Sequence, residues 1–206
     1  MSEYQFTKDW FNWAPPVWEQ LVPLLPERTE EGRTFIEIGS FEGRSMVWIA
    51  ENMMQSGDHL DCIDTWQGGE EHGAEDMGTV EERFDHNLAL LEGKFPDYEF
   101  EKLKGSSVAH IGSMVAGLDC GTWMADFIYI DGSHIAKDVL TDACMAWPLL
   151  KPTGIMVFDD YMWGNPRDIL HRPKPAIDAF TNIFAEEVDI VHVGYQLVVR
   201  KKEQTA

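Results

Sequence analysis

From Arg33 onward, short apolar runs with strand character alternate with helical runs, until the tail breaks the rule. Thr34–Ile38 is a strand, and Glu42–Met54 is helical, with Met46, Ile49 and Met53 at helical spacing. The strand His59–Ile63 follows, then a helix over Thr79–Leu91 that carries Val80, Phe84, Leu88 and Leu91 on one face. Tyr98–Leu103 alternates as a strand, Ser106–Leu118 is helical, and Phe127–Ile130 is a buried strand. A long helix is expected over Ser133–Leu150, then a strand over Gly154–Phe158 and a helix over Lys174–Phe184. Such alternation specifies an α/β domain with a parallel sheet. In the tail, Val188–Val193 and Tyr195–Arg200 are two strands with almost no room between them. A parallel pair needs a crossover of about a dozen residues. These two must be antiparallel, with a tight turn near Gly194. The expected fold is an α/β, mostly parallel seven-stranded sheet with helices on both faces and a C-terminal antiparallel hairpin.

With 206 residues the chain suits one domain over 1–206. Residues 33–201 form its core, and the aromatic, proline-rich segment 1–28, with Trp10, Trp13 and Trp18, reads as a helical cap or lid. The formal net charge of −20 would repel phosphate backbones and anionic membranes, so neither a nucleic acid nor a membrane is the expected partner. No apolar stretch approaches the roughly 18 residues of a membrane span, and the first residues lack a signal-peptide pattern, so a cytoplasmic location is expected. Cys62, Cys120 and Cys144 show neither an even count nor CxxC spacing. Cys62 and Cys144 are expected in the core.

The first strand runs into Glu37-Ile38-Gly39-Ser40-Phe41-Glu42-Gly43-Arg44-Ser45. A glycine at a strand's carboxyl end permits a tight turn and close approach of a ligand, and open α/β sheets bind ligands at that edge. Asp64, in Cys62-Ile63-Asp64-Thr65-Trp66, lies about 20 residues on, the spacing at which an acid reaches a ribose diol. A dinucleotide fingerprint would need a second glycine where Phe41 stands, which disfavours a nicotinamide oxidoreductase. The loop taken alone is equally a turn that packs helix on strand.

Asp131 ends the fourth strand, and Asp159 and Asp160 end the fifth. In a parallel sheet these ends open on one edge, so three carboxylates can converge, a donor set suited to a hard divalent cation such as Mg²⁺. Paired aspartates after a strand also serve as helix caps. His134, three residues past Asp131, is of a type that accepts a proton near neutral pH.

Two longer segments carry a family resemblance. Ala125-Asp126-Phe127-Ile128-Tyr129-Ile130-Asp131-Gly132-Ser133-His134 and Leu149-Leu150-Lys151-Pro152-Thr153-Gly154-Ile155-Met156-Val157-Phe158-Asp159-Asp160-Tyr161 resemble matching segments of class I S-adenosylmethionine (AdoMet) methyltransferases. The small bacterial branch related to macrocin O-methyltransferase is the nearest in pattern, with catechol O-methyltransferase more distant. The resemblance spans about Arg33 to Lys201 and implies a Rossmann-like fold and AdoMet as methyl donor. It implies that Glu37, Gly39, Phe41 and Ser45 line the methionine end of AdoMet, that Asp64 holds the ribose, and that Gly105, Ser106 and Ser107 flank the adenine. Gly43, Thr65 and Trp66 complete that cofactor set. Val108 stands where catechol enzymes carry a polar adenine contact, so that contact is either missing or supplied by Trp66. Asp131 sits beside the methionine and, with Asp159 and Asp160, holds the metal. His134 stands where the catechol branch has its lysine base, so His134 and Asp131 are the expected catalytic residues. Thr153 replaces a usual glycine, with an effect expected only on a turn.

The implied reaction is metal-assisted methyl transfer to a small-molecule hydroxyl. A metal-independent N- or O-methyltransferase and a non-catalytic AdoMet-binding protein are the alternatives. The acidic stretch 67–78 reads as a lid or a solvated loop, and His72 with Glu70, Glu71 and Glu75 as a weak second metal candidate. The aromatic N-terminal segment also offers an interface for a homodimer.

Overall fold

A computed structural model of the chain describes residues 3–69, 72–73, 76–118 and 124–203. Its elements are α1 (Pro15–Leu21), β1 (Thr34–Ile38), α2 (Arg44–Asn52), β2 (His59–Asp64), α3 (Met77–Lys94), β3 (Glu99–Lys104), α4 (Ser107–Gly117), β4 (Ala125–Ile130), α5 (Ala136–Ala146), β5 (Leu150–Phe158), α6 (Lys174–Ile183), β6 (Val188–Val193) and β7 (Leu197–Lys201). The strands form one sheet in the order β3-β2-β1-β4-β5-β7-β6. Strands β1 to β5 pair in parallel. β7 runs antiparallel between β5 and β6. The expected α/β architecture, with its mostly parallel sheet and closing hairpin, is therefore what the chain adopts. The strand order reverses between β1 and β4, which puts the ligand-binding crevice of such a sheet at their carboxyl ends.

Every residue of β1 and β4 is buried, as central parallel strands covered on both sides require. Side chains alternate along each strand, so the core divides in two. Phe35, Cys62, Phe127, Tyr129 and Val157 face Trp18, Met46, Ile49 and Phe84 from α1, α2 and α3. Ile36, Ile128, Ile130, Met156 and Phe158 face Ile111, Val139, Ala143 and Phe180 from α4, α5 and α6. The edge strand β3 has no buried residue. Residues 4–13 form a strap without helix or strand that turns at Trp10–Trp13, and the buried Trp18 donates from Nε1 to Gln196 Oε1 at 2.8 Å.

Several local expectations change. The helix expected from Ser133 begins at Ala136, because Ser133 Oγ accepts from the amide of Ile135 and holds a turn first. It ends at Ala146, ahead of a 3-10 turn over Trp147–Leu149, where Pro148 lacks the N–H that a continuing helix would use. β5 begins at Leu150 and bulges before Gly154: Ala125 pairs with Leu150, and Phe127 already pairs with Ile155. Thr153 sits in that bulge at φ +65°, a conformation natural to glycine, so its effect falls within a strand rather than on a turn. Cys62 is buried as expected, but Cys144 is exposed on α5. Cys120 lies outside the described residues. No helix among the described residues is long and apolar enough to cross a membrane.

Candidate active site

A cavity of about 920 Å³ opens at the carboxyl edge of the sheet, a size suited to a cofactor together with a small molecule. Gly39, Ile63, Asp64, Thr65, Gly105, Ser106, Ser107, Asp131 and His134 line it, so the ends of β1, β2, β3 and β4 share one wall. Gly39 has φ +89°, and a Cβ there would fall 2.0 Å from the carbonyl oxygen of Asp131. Only glycine lets the loop after β1 pass so close to the end of β4. Asp64 braces that loop: its Oδ2 accepts from the amides of Ser40 and Phe41 at 2.9 Å each, and its Oδ1 from Trp66 N at 2.7 Å. A carboxylate holding three amides retains acceptor capacity for further donors.

Aromatic rings surround the cavity. Phe41 stacks on His72 with ring centroids 5.3 Å apart and lies 5.1 Å from Trp10. Trp13 meets Tyr195 edge to face at 5.0 Å, and Trp163 packs on His134 at 4.3 Å.

The acidic end is built from two loops. His134 Nε2 lies 2.7 Å from Asp160 Oδ2, and Tyr195 donates its hydroxyl to Asp160 Oδ1 at 2.9 Å. One ligand atom each from Asp131, His134 and Asp160 lies within 4.8 Å of the others. Asp159 lines the cavity too, but its oxygens are engaged elsewhere. Oδ1 accepts from the amide of Asp160 at 2.7 Å, and Oδ2 accepts from Gln196 Nε2 at 3.0 Å and meets the Tyr129 hydroxyl. The cluster of candidate ligand atoms therefore holds His134 where three aspartates were expected. Consecutive residues at a strand end project to opposite sides, and Asp160 takes φ +55° as the chain turns.

Burial, and then the charges of Asp159 and Asp160, hold the Asp131 carboxyl well above the usual carboxylate range. Burial, and then Asp160, push the Asp159 carboxyl up to about 6. Such like-charge crowding is relieved by a cation, and one imidazole and two carboxylates can ligate a divalent ion. The residues present fit a metal there.

Four expected cofactor residues lie outside the cavity lining. Glu37 alternates onto the opposite face of β1, is fully buried, and accepts from Ser45 Oγ on the buried face of α2. Gly43 stands before α2 at φ +77°, where a Cβ would fall 2.6 Å from Met46 Cε. Trp66 turns into the core against Phe84 and donates from Nε1 to the Phe41 carbonyl at 2.9 Å, so its ring stands outside the cavity lining. The converse misses are Tyr195 and Asp142, which line the cavity, as do Trp10 and Trp13 of the segment read as a cap or lid. Asp142 accepts from Ser107 Oγ at 2.6 Å, and burial lifts its carboxyl to about 6. A carboxylate beside Val139 and Ala143 in an apolar stripe was the signal for Asp142; Tyr195, on a hairpin turn, had none. Of the weak cluster around His72, Glu70, Glu71 and Glu75 lie outside the described residues.

A family model described as a methyltransferase domain matches residues 36–161. No curated protein sequence matches the chain. Among solved structures, the chain is similar to the O-methyltransferase TomG from Streptomyces achromogenes, involved in tomaymycin synthesis, in complex with SAM. The TM-score is 0.65 at 20% identity, over 92% of this chain and 81% of that one. It is also similar to an O-methyltransferase from Bacillus cereus in complex with SAH, with TM-score 0.57 at 17% identity over 92% and 82% of the two chains. The MycE methyltransferase of the mycinamycin biosynthetic pathway, in complex with Mg and SAH, gives TM-score 0.58 at 14% identity. That match covers 95% of this chain and 51% of MycE. At these identities the likeness is one of fold.

Proposed function

This chain belongs to the methyltransferase-domain family, and from that premise we propose that it moves a methyl group from AdoMet to a hydroxyl of a small molecule, with a divalent cation such as Mg²⁺ beside the acceptor. The observation that carries this reading is a single cavity with two unlike ends. At one end Gly39, Asp64, Thr65 and Gly105 to Ser107 form a cradle of strand-end backbone and hydroxyls; at the other stand Asp131, His134 and Asp160. SAM or SAH in TomG and the Bacillus cereus enzyme, and Mg in MycE, support the assignment. The net charge of −20 favours a small acceptor over a nucleic acid.

AdoMet supplies a methyl group on a sulfonium centre. Asp131 and Asp160 would hold the cation, whose Lewis acidity lowers the pKa of an acceptor hydroxyl. His134 is the group to receive the hydroxyl proton, and Asp160, 2.7 Å from Nε2, orients the ring and balances the charge it gains. Tyr195 fixes the other oxygen of Asp160. Trp10, Trp13 and Trp163 exclude water and offer faces for an acceptor ring. The direct His134–Asp160 contact also suits a metal-free base, and that is the second reading.

Calorimetric titration of AdoMet, with and without Mg²⁺, tests the donor. Saturable binding is expected, and no binding by folded protein overturns the proposal. Release of S-adenosylhomocysteine across a panel of hydroxyl acceptors tests the reaction. Full turnover in the presence of a chelator selects the metal-free reading.

A further inference from the structure

A second polar cluster lies at the opposite end of the sheet. β2 opens with His59 and Asp61, and β3 sets Glu99 opposite His59 and Glu101 opposite Asp61. The period of two puts all four side chains on one face. From His59 to the cavity-lining Asp64 is a distance of about 16 Å at roughly 3.3 Å per residue, so the cluster stands apart from the site above. His59 Nε2 lies 2.9 Å from Asp61 Oδ1, and Nδ1 lies 3.5 Å from Glu99 Oε2. One ligand atom each from His59, Asp61 and Glu101 falls within 4.8 Å of the others.

Two observations say that this arrangement is electrostatically incomplete. Three carboxylates surround one imidazole, and among the described residues no lysine or arginine pairs with Asp61, Glu99 or Glu101. Lys102, next to Glu101 in sequence, points to the other face, over the Trp66 ring and onto Glu81 and Asp85. Independently, the Asp61 side chain is only 1% exposed, and its Oδ2 is buried with no hydrogen-bond donor. A buried carboxylate oxygen without a donor is costly, and proteins meet that cost by pairing or by metal coordination.

We propose that His59, Asp61 and Glu101 form a second cation site, for a divalent transition metal of the Zn²⁺ type, which ties the exposed edge strand β3 to β2. One imidazole nitrogen with carboxylate oxygens is a donor set for Zn²⁺ and its neighbours, whereas Mg²⁺ favours all-oxygen octahedral sites and keeps its waters. The exposed Glu101 is the side from which the ion enters, and Asp61 anchors it from within the sheet. The site is a clamp on the fold and does not depend on methyl transfer.

The test is a calorimetric Zn²⁺ titration of the full chain carrying Asp160→Asn, which disables the competing cluster in the cavity. One Zn²⁺ is expected to bind. Adding His59→Ala is expected to abolish it, and adding Glu101→Gln to weaken it by about tenfold or more. Glu101 is exposed, so its variant tests the site even if His59→Ala harms folding. His59→Ala or Glu101→Gln alone is expected to leave methyl transfer unchanged. Zn²⁺ binding that is absent from the Asp160→Asn chain, or unaltered by both further substitutions, overturns the proposal.

Discussion

His134 and Asp160 reach each other from loops that follow different strands, β4 and β5, and neither conformation is a default of the chain. Asp160 holds φ +55°, a cost of order 1–3 kcal/mol for a residue other than glycine, which its surroundings must offset. Tyr195 on one oxygen and His134 on the other supply that support. If His134 receives the acceptor proton, His134→Ala should lower kcat by about 10²–10⁴-fold and leave AdoMet affinity within about twofold. Single-turnover kinetics with calorimetry separate the two quantities, and an unchanged kcat removes His134 from the chemistry. The sequence disclosed Asp131, His134 and Asp160, because chemistry at the end of a parallel strand needs side chains at fixed offsets from that strand. It did not disclose that Asp159 faces Tyr129 and Gln196. That depends on a backbone turn at Asp160 and on a glutamine of the distant hairpin.

The strap formed by residues 4–13 shows the same limit for elements. Its tryptophans mark it as a cap or lid in the sequence, but its fastening is long-range. Asn87, fully buried on α3, accepts from Gln5 N at 2.7 Å and donates to the Gln5 and Glu42 carbonyls at 2.9 and 2.8 Å. Glu42 accepts from the amide and hydroxyl of Thr7 at 2.6 Å each and pairs with Arg83. Neither residue stands out locally: Asn87 interrupts an apolar helical face, and Glu42 lies in a loop valued for its glycines. Through this clasp α3 holds Trp10 and Trp13 over the cavity. Asn87→Ala leaves the buried groups of Gln5 and Glu42 without partners, a loss of about 1–3 kcal/mol. It should speed proteolytic cleavage ahead of α1 and raise the acceptor KM more than it changes kcat. Limited proteolysis with mass spectrometry reads the first effect. Cleavage as slow as in the parent chain would mean that other contacts, such as Trp18 with Gln196, suffice to hold the strap.

Across the whole molecule the buried acids pull stability in one direction. Burial lifts Glu37 to about 7 and Asp142 and Asp159 to about 6, and it raises Asp131 as well. Unfolded, these carboxyls titrate near about 4. Between those values the native state binds more protons than the unfolded state, so stability falls as pH rises through the window. His59, raised chiefly by its bond to Asp61, adds to the same trend: its contribution is present at low pH and lost as pH climbs through its folded pKa. The lowered Glu81 works against the trend, but it sits at the surface, where solvent screens it. The net charge of −20 reinforces the trend through self-repulsion at higher pH. Tm is therefore expected to rise as pH is lowered from about 7.5 to 5.5, the reverse of a protein held by exposed salt-bridged acids. Glu37→Gln should flatten the upper part of that slope, between about pH 6 and 7.5, because burial lifts Glu37 to about 7, inside that range. Mg²⁺ should flatten the part due to Asp131, since a bound cation favours the ionised carboxyl. Differential scanning calorimetry across that range decides it. A Tm that is level or climbs towards pH 7.5 would show that these carboxyls are solvated enough to ionise at no cost to the fold.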